Sequence, residues 1–492
     1  MTKGEKASLR DEFQSYEEQF QSLSSSGQVS PEITKLVIGL LGLMKIMLAV
    51  FMEKKTGKSS KNSGIPPSQT EKDDTKQEIK PKSRGSLLPG KLSGSASNFS
   101  EEIQISVHAV TDCSKCGEDL EEEPSKNYER RTLIDIEYRK IVRHEDVEIK
   151  HCPECGHENK GQFSPEFHGP MQYGIGLQAL IIHLLTFQLV PLNRVLKTLE
   201  AMYRLTLSPT TLIGYILKLH KNLEVWEKEA IAFIKEQMCV CCDETSLKVN
   251  RKKWWVHIYT SSGVTVKLIH ESRGLKAMKE LGILSKLRRF IVHDRYSSYF
   301  NFKQCIHAIC GSHLLRDLTF IIESNNYRWA RNMKRLLKTA AAMVTKSKRK
   351  KLTKKQFDRL RTNYRNILTR GAREMPPIPV RSTGKRGKIA KSDAHNLLEA
   401  MIKYEEAVLM FARHSMVPFT NNDAERGLRM SKVKQKISGC FRTELLARAY
   451  CRITSYLQTT TAMGINPMLA IQMALHGKPI MPETTPASSA KK

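Results

Sequence analysis

The sequence lacks an uninterrupted apolar run long enough to cross a bilayer. Its longest apolar stretch, residues 37–51, contains Lys45 and is shorter than the roughly 20 residues that a membrane-spanning helix needs. The first residues are charged and hold no apolar segment before a small-residue cleavage site, so no secretory signal is expected. Internal repeats of about 20–50 residues are also missing, which argues against solenoids and propellers. We therefore expect a cytoplasmic protein without a membrane partner.

Acidic residues are scarce, because 50 Asp and Glu face 80 Lys and Arg, a net charge of +30. A surplus of this size indicates a polyanionic partner, either nucleic acid or an acidic membrane surface. Hydrophobic residues make up 40% of the 492, which is enough for packed cores and excludes a wholly disordered chain. At about 150 residues per domain, the length favours roughly three domains.

The 11 cysteines are an odd number, which favours reduced thiols and metal sites over disulfides. Cys113-x2-Cys116 and Cys152-x2-Cys155 each precede a glycine, as do the two-cysteine knuckles that bind zinc. The 35 residues between them include a strand-like stretch, RTLIDIEYRKIVRHEDVEIK, as in a zinc ribbon. We predict one structural Zn²⁺ held by the four thiolates, with free thiols or a redox pair as the alternatives.

The N-terminal region predicts a helix followed by a linker. The helix, residues 31–55, begins at Ser30-Pro31-Glu32. Its apolar seam of barely two heptads consists of Leu36, Leu40, Leu43, Met47 and Val50. The seam predicts either self-association or docking on the chain's own core. The next residues, to about 100, are rich in Ser, Lys, Pro and Gly, as in a flexible linker.

Residues 191–220 predict two short helices joined by a turn. The second begins at Ser208-Pro209-Thr210, where Ser208 would cap the helix and Pro209 would take its first position. This pattern suits a DNA-binding helix-turn-helix, although any helical hairpin produces it.

Four segments rich in β-formers lie between residues 235 and 310: QMCVCC, WWVHIYT, VTVKLIHES and RRFIVHD. A helical stretch, GLKAMKELGIL, precedes the last of them, so a mixed sheet is expected. Asp243 is expected to end the first strand and Asp294 follows the last, which would bring two carboxylates together at one edge of the sheet. The alternative is that both are ordinary turn residues.

Glu425 is a third candidate acid, in the segment TNNDAERGLRMSKVKQKISGCFRT. It could instead complete a capping box with Asn422. Many cations follow it, however, and such surroundings suit DNA phosphate held against a metal ion. The cations that we expect to bind DNA are Arg426, Arg429, Lys432, Lys434, Lys436 and Arg442. Carboxylate oxygens at the three acids would select Mg²⁺ or Mn²⁺.

Four segments, in chain order, resemble the signature blocks of the insertion-sequence-66 family of DDE transposases: DETSLKV, HDRYSSYF, CGSHLLRDL and PFTNNDAERGLRMSKVKQKISGCFRT. The resemblance spans nearly the whole chain, as far as GINPMLA. It implies an α+β multidomain protein whose ribonuclease-H-like mixed α/β catalytic core is interrupted by a helical insertion. It also implies that Asp243, Asp294 and Glu425 are the catalytic acids and bind Mg²⁺.

Cys310-x2-His313 matches a Cys-x2-His element of the same family. We expect these two side chains to pack beside the active site, with half of a metal site as the alternative. Two features depart from the family pattern without removing a catalytic acid. Cys241-Cys242 stand where a small residue is expected, and Gly311-Ser312 replace a bulkier pair.

Residues 331–391 contain 21 basic and two acidic residues, a local charge of +19 that is about two-thirds of the total. Leu and Met alternate with the cations in this segment. We predict helices that contact the phosphate backbone of DNA, with a solvated helix face as the alternative.

The sequence therefore predicts a DNA transposase that binds the terminal inverted repeats of its mobile element, cleaves a strand and transfers it. The alternatives are a non-catalytic zinc-ribbon DNA-binding protein derived from a transposase, and an RNA-processing nuclease. Expected partners are double-stranded DNA at the element ends and at the target, further copies of the chain, and accessory transposition proteins. We expect the protein to act at the nucleoid.

The predicted divisions are an N-terminal helix (1–55), a linker (56–104), a zinc module (105–165), a helical DNA-binding region (166–230), the first part of the core (231–320), the basic helical insertion (321–415), the final part of the core (416–465) and a tail (466–492).

Overall fold

A computed structural model describes residues 3–56, 58, 62, 105–136, 139–378 and 391–482. The described residues form two compact units. The larger draws on Met1–Lys76, Ala179–Pro191 and Ile213–Lys492, and the smaller on Gln77–Gln178 and Leu192–Leu212. Residues of the predicted helical region 166–230 therefore contribute to both units. The predicted linker lies almost wholly outside the described residues.

A five-stranded mixed sheet lies at the centre of the larger unit. Its strands are β3 (Cys239–Val249), β4 (Lys252–Ser261), β5 (Val264–His270), β6 (Phe290–His293) and β7 (Ile306–Ile309). The order is β5-β4-β3-β6-β7, in which β3, β4 and β5 pair antiparallel and β6 and β7 run parallel to β3. The predicted mixed sheet is confirmed. Sequence analysis missed β7, because four residues are too short to show a period.

The first strand differs from its prediction. The sequence placed its end at Asp243, but the antiparallel ladder with β4 continues to Val249, and Asp243 pairs with Ile258 inside it. Pairing with β6 stops earlier, at Cys241 opposite Val292. Asp243 therefore lies just beyond the parallel part of the sheet while its own strand goes on.

Helices cover the sheet and protect its open edge. The helix α14 (Glu444–Ala462) lies along β5, where the backbone N–H groups of Thr265 and Lys267 donate to the hydroxyls of Thr459 and Ser455 at 3.0 and 2.8 Å. An exposed strand edge would otherwise invite pairing with another chain. The helices α6 (Glu224–Glu236) and α13 (Asn422–Ser438) also pack on the sheet, whereas α15 (Pro467–Leu475) packs on α14, and α7 (Leu275–Glu280) connects β5 to β6.

The predicted basic insertion is helical. It contains the end of α8 (Gly311–Asn325) and the whole of α9 (Arg328–Lys346), α10 (Lys354–Glu374), α11 (Asp393–Lys403) and α12 (Glu405–Arg413). Its apolar residues recur on one face of each helix, as with Trp329, Met333 and Leu337 on α9, all buried. These side chains belong to the same hydrophobic core as those of the sheet.

Two helices begin the chain, α1 (Lys3–Ser25) and α2 (Pro31–Thr56). The C-terminal part of α2 is docked, because the buried carboxylate of Glu53 accepts bonds from the N–H groups of Asp393 and Ala394 at the start of α11, at 2.8 and 3.1 Å. A carboxylate is favoured at a helix N-terminus. The predicted docking on the chain's own core is thus confirmed for this part of the helix.

The rest of the α2 seam is open. Leu36 and Met47 are 73% and 71% exposed, and Leu40 and Leu43 are also exposed. By length and composition, α2 is the one described helix that could cross a membrane. The core helix of a soluble protein passes the same test, and Lys45 within α2 forms an ion pair with Glu17 of α1.

The smaller unit contains the cysteine knuckles, the hairpin of β1 (Ile149–His151) and β2 (Glu158–Lys160), and α4 (Leu192–Tyr203). The strand-like stretch 131–150 forms a strand only from Ile149 onward within its described residues, where it pairs with β2. The helices α3 (Ile175–Ile182) and α5 (Pro209–Asn222) contribute residues to both units. Ser208 caps α5, accepting from the N–H of Thr211 at 3.1 Å, as predicted.

Candidate active site

The strand register places Asp243 and Asp294 at neighbouring positions. Cys239 lies opposite Phe290 and Cys241 opposite Val292, so two further residues along each parallel strand lead to Asp243 and Asp294. Parallel strands bring their carboxyl ends to the same edge. The predicted juxtaposition of these two acids follows from that register. Asp243 lies within a strand and not in a turn, so the turn interpretation is wrong for it.

The electrostatics of Asp243 reflect a crowded acidic site. Burial raises the pKa of its carboxyl well above the usual range, and the nearby carboxylates of Glu244, Asp294 and Glu425 raise it further. The three predicted acids are therefore close enough to interact. A site that concentrates negative charge in this way suits a divalent cation, which would stabilise the ionised carboxylates.

Asp294 is fixed by the turn that follows β6. Its Oδ1 accepts from the N–H of Tyr296 at 2.9 Å, which leaves Oδ2 to face the Arg273 guanidinium at 4.0 Å. Arg295, which lies between Asp294 and Tyr296 in the sequence, has a φ of 77°. Such a backbone conformation is unusual for a residue with a side chain and clusters at functional sites. Asp294 thus forms a turn through Oδ1 and an ion pair with Arg273 through Oδ2.

Sequence analysis missed a group beside the acids in which the partly exposed Arg273 contacts the buried Glu244, and Glu244 contacts the buried Tyr299. The Glu244 carboxylate accepts from Arg273 Nε at 2.8 Å and from the Tyr299 hydroxyl at 2.6 Å. The Arg273 guanidinium also lies over the ring of Tyr296, 4.1 Å from its centroid. Glu244 stands next to Asp243 in the sequence, but nothing local marks Arg273, which is 29 residues away.

Glu425 reaches the site from the first turn of α13. The N-cap of this helix is Asn421, not Asn422, and no side chain caps it, so the capping-box interpretation is wrong. Asn421 is fully buried, and its amide instead donates to the backbone oxygen of Cys242 at 2.7 Å. The bond ties the start of α13 to β3, one residue before Asp243. Asn421 therefore positions Glu425 relative to Asp243.

Cys310 and His313 lie directly against Glu425. The Cys310 thiol is 3.7 Å from Glu425 Oε1, and His313 Nδ1 is 3.4 Å from the same oxygen. Among the described residues this is the one group of three in which ligand atoms of Cys, His, Asp or Glu all come within 4.8 Å of one another. Burial raises the pKa of the Cys310 thiol to about 11 and lowers that of His313. Both side chains therefore pack beside the acids, as expected, but as polar neighbours of Glu425.

Gly311, one of the two departures from the family pattern, accommodates an aromatic ring. A Cβ at this position would lie 2.3 Å from the ring of Phe419. The N–H of Gly311 also donates to the carbonyl of Phe419 at 2.8 Å. The phenyl ring thus occupies the space that a larger residue would need at the start of α8.

The six cations after Glu425 divide into two groups. Lys432 Nζ donates to the hydroxyl of Ser246 at 2.9 Å, and Lys434 Nζ to the carbonyl of Leu185 at 3.5 Å, so both point into the protein. The other four are exposed: Arg426, Arg429, Lys436 and Arg442. Arg426 also pairs with Asp423 at 2.5 Å. Exposed positions suit DNA contact, whereas Lys432 and Lys434 support the fold.

The two cysteine pairs form separate, similar turns. The N–H of Gly117 donates to the carbonyl of Cys113, and that of Gly156 to Cys152, each at 2.9 Å, and both glycines have a positive φ. Backbone hydrogen bonds lower the pKa of the Cys113 and Cys152 thiols, which favours the thiolates that zinc requires. The four sulfurs are not gathered within 4.8 Å of one another in the described structure. A shared zinc site stays a prediction.

Comparison with known proteins identifies the larger part of the chain. A family model described as "Transposase IS66 family" matches residues 170–449, which include all the groups around the three acids. No curated protein matches the sequence.

Proposed function

The chain belongs to the IS66 family of transposases, and on that premise we propose that it binds the terminal inverted repeats of its mobile element and cleaves and transfers DNA strands. Strand cleavage would release a 3′-hydroxyl, which would then attack target DNA. The observation that carries the proposal is geometric: the parallel register places Asp243 beside Asp294, and the bond from Asn421 to the Cys242 carbonyl ties the start of α13, which carries Glu425, to the same strand.

The proposed catalytic core is ribonuclease-H-like. Three antiparallel strands followed by two parallel ones, in the order β5-β4-β3-β6-β7, support this assignment. Asp243 from β3, Asp294 after β6 and Glu425 from α13 would hold the divalent ions. When bound, two such ions about 4 Å apart activate the attacking oxygen and stabilise the leaving one in an in-line displacement at phosphorus. Arg273, held by Glu244, would keep Asp294 in place.

The turn between α9 and α10 is the strongest candidate for backbone contact with DNA. Seven exposed cations lie within ten residues there: Lys346, Lys348, Arg349, Lys350, Lys351, Lys354 and Lys355. None of the seven forms an ion pair with a described residue, whereas Arg361 and Arg365 on α10 bind Glu405 at 2.6 and 2.9 Å. Cations without acidic neighbours favour phosphate contact. Base recognition would come from α4 and α5 as a helix-turn-helix.

We assign structural Zn²⁺ to the four thiolates of Cys113, Cys116, Cys152 and Cys155. We assign self-association of the chain to the exposed seam of α2. The glycine turns of the two knuckles support the first assignment, and the exposure of Leu36, Leu40, Leu43 and Met47 supports the second. Paired transposon ends require at least two copies of the chain. Accessory transposition proteins would complete the assembly at the nucleoid, in the cytoplasm.

The decisive experiment compares Asp243→Asn with Asp423→Asn on DNA from the ends of the element. Asp243→Asn should abolish Mg²⁺-dependent cleavage while end binding stays within about twofold. Asp423 is exposed on the same helix as Glu425, and Arg426 is its one ion-pair partner among the described residues, so its variant is the matched control and should cleave normally. Undiminished cleavage by Asp243→Asn would refute the catalytic assignment.

End binding without any cleavage by the wild-type chain, in Mg²⁺ or Mn²⁺, would favour the non-catalytic DNA-binding alternative. Matched RNA and DNA substrates separate the nuclease alternative, because a transposase should cleave only the DNA of its own ends.

A further inference from the structure

Two side chains at the site, Cys310 and His313, have no role in the proposed reaction although they contact one of its acids. Cys310 at the end of β7, His313 in the first turn of α8 and Glu425 on α13 bring a sulfur, a nitrogen and an oxygen together. Magnesium prefers oxygen ligands and makes little use of a thiol or an imidazole. Zinc binds all three ligand types. The chemistry of this group therefore differs from that of the three acids.

The distances in this group match those around a single zinc ion. Tetrahedral Zn²⁺ with ligands at about 2.0–2.3 Å separates an N and an O ligand by about 3.4 Å, and an S and an O ligand by about 3.6 Å. The corresponding separations are 3.4 Å from His313 Nδ1 to Glu425 Oε1 and 3.7 Å from Cys310 Sγ to the same oxygen. The side chains would need little movement to bind the ion.

The environment of His313 points independently to a cation. Its Nδ1 is buried and makes no hydrogen bond to any described residue, although the Glu425 oxygen is 3.4 Å away. A buried polar atom without a partner destabilises the fold by about 1–3 kcal/mol. A metal ion between the nitrogen and the carboxylate would give the nitrogen a partner. Arg316 Nη2, 3.7 Å from Glu425 Oε1, is the one cation that would oppose its entry in the described structure.

Asn421 keeps the thiol in place on the remaining side. Its backbone N–H donates to Cys310 Sγ at 3.2 Å. A hydrogen bond to sulfur stabilises the thiolate that zinc needs, and zinc binding would release the thiol proton to solvent. Three protein ligands leave one tetrahedral position for water.

We propose that Cys310, His313 and Glu425 form a binding site for a thiophilic divalent cation, Zn²⁺, distinct from the magnesium site but sharing Glu425 with it. Zinc bound there removes Glu425 from the three acids and inhibits strand cleavage. This consequence rests on the proposed function, whereas the binding site itself does not.

The first test measures zinc stoichiometry on the full-length chain without DNA, by equilibrium dialysis against Zn²⁺ alone. Cys310→Ser and His313→Ala should each bind one equivalent fewer than the wild type, or bind it at least about tenfold more weakly. Cys305→Ser is the matched control, because Cys305 is also buried but faces the carbonyl of Leu287, and it should keep the wild-type value. Circular dichroism shows whether Cys310→Ser or His313→Ala fails to fold. If one of them does, the zinc binding of the other variant tests the proposal.

Equal zinc binding by the wild type, Cys310→Ser and His313→Ala would overturn the proposal and leave a simple contact between His313 and Glu425.

The second test adds Zn²⁺ to cleavage reactions in Mg²⁺, and compares the rate of each variant with the rate of the same variant without zinc. His313→Ala should need at least about tenfold more zinc for half-inhibition. Zinc binding by a chain that never cleaves DNA would contradict the proposed function but not the zinc site. Failure of the zinc proposal and failure of the proposed function are therefore distinguishable.

Discussion

The two regions of this chain with metal-ligand chemistry differ in how far the sequence reveals them. The cysteine pairs 113/116 and 152/155 are obvious from spacing, and each forms the expected glycine turn, yet the structure does not bring the four sulfurs together. Cys310 and His313 are three positions apart, but Glu425 follows 112 positions later, and the structure places the ligand atoms of all three within 4.8 Å of one another. Spacing predicts a local turn, but only tertiary packing brings distant residues together.

Removing both knuckles tests the first half of that comparison and carries the largest expected effect. The double variant Cys113→Ser, Cys152→Ser should lose one zinc equivalent and, with it, the metal-linked folding of residues 105–165, on the order of 10 kcal/mol. Limited proteolysis and zinc analysis measure both, and the melting of the larger unit should not change. Cys440→Ser, an exposed thiol outside the knuckles, is the control. An unchanged zinc content would mean that the knuckles do not bind the ion together.

Gly311→Ala tests how tightly the second region is packed. The added Cβ would lie 2.3 Å from the Phe419 ring, so the free energy of unfolding should fall by up to about 3 kcal/mol. Gly214→Ala on α5 is the control, because nothing lies within 4 Å of its Cβ, and it should stabilise the chain slightly. Urea denaturation measures both. Equal stability of the two variants would contradict the close packing at the start of α8.

Asn421→Ala separates the position of Glu425 from its chemistry. Losing the amide bond to the Cys242 carbonyl should lower the free energy of unfolding by about 1–2 kcal/mol. Cleavage should fall further than this loss of stability explains, because Glu425 would no longer be fixed relative to Asp243. Asn422→Ala, at an exposed neighbour, should leave both unchanged. If Asn422→Ala has the larger effect, the capping box governs this helix after all.

The smallest effect concerns the basic turn, which, like the knuckles, is local in sequence. Lys348→Gln with Lys350→Gln should reduce the slope of log affinity against log salt by about 1.8, since each phosphate contact contributes about 0.9. Arg365→Gln is the control, because Arg365 binds Glu405 and should not change the slope. Fluorescence anisotropy with end DNA over a series of salt concentrations measures it. An unchanged slope would indicate a solvated helix face.

Much of the fold was predictable because its signals are local. The β-rich segments, the helix before β6, the Pro31 and Ser208 helix starts and the buried face of α9 follow from period and capping, and the structure confirms them. The end of β3 was not predictable, since Val249 stays in the strand by pairing with Lys252 of β4 and with the distant Phe441. The strand β7 was missed for a related reason, because it is defined by its partner β6.

The candidate site divides in the same way. Asp243, Asp294 and Glu425 were chosen from their positions after strands and among cations, and from resemblance to a family that residues 170–449 match. Arg273, Tyr299 and Asn421 carry no such signal, because each acts on a residue at least 29 positions away. The hydrogen bonds of Lys432 and Lys434 inside the protein were not predictable either, since the sequence shows a charge but not the direction in which the side chain points.

The sequence by itself determined the family, the candidate acids, the two knuckle turns and the concentration of positive charge in residues 331–391, because each depends on residue types at short spacing. Only the tertiary structure decided which cations remain exposed, that Asn421 ties α13 to β3, and that a thiol and an imidazole face Glu425. The physical reason is distance along the chain. Hydrogen bonding and burial between residues more than 100 positions apart depend on the packing of whole elements, which no local pattern encodes.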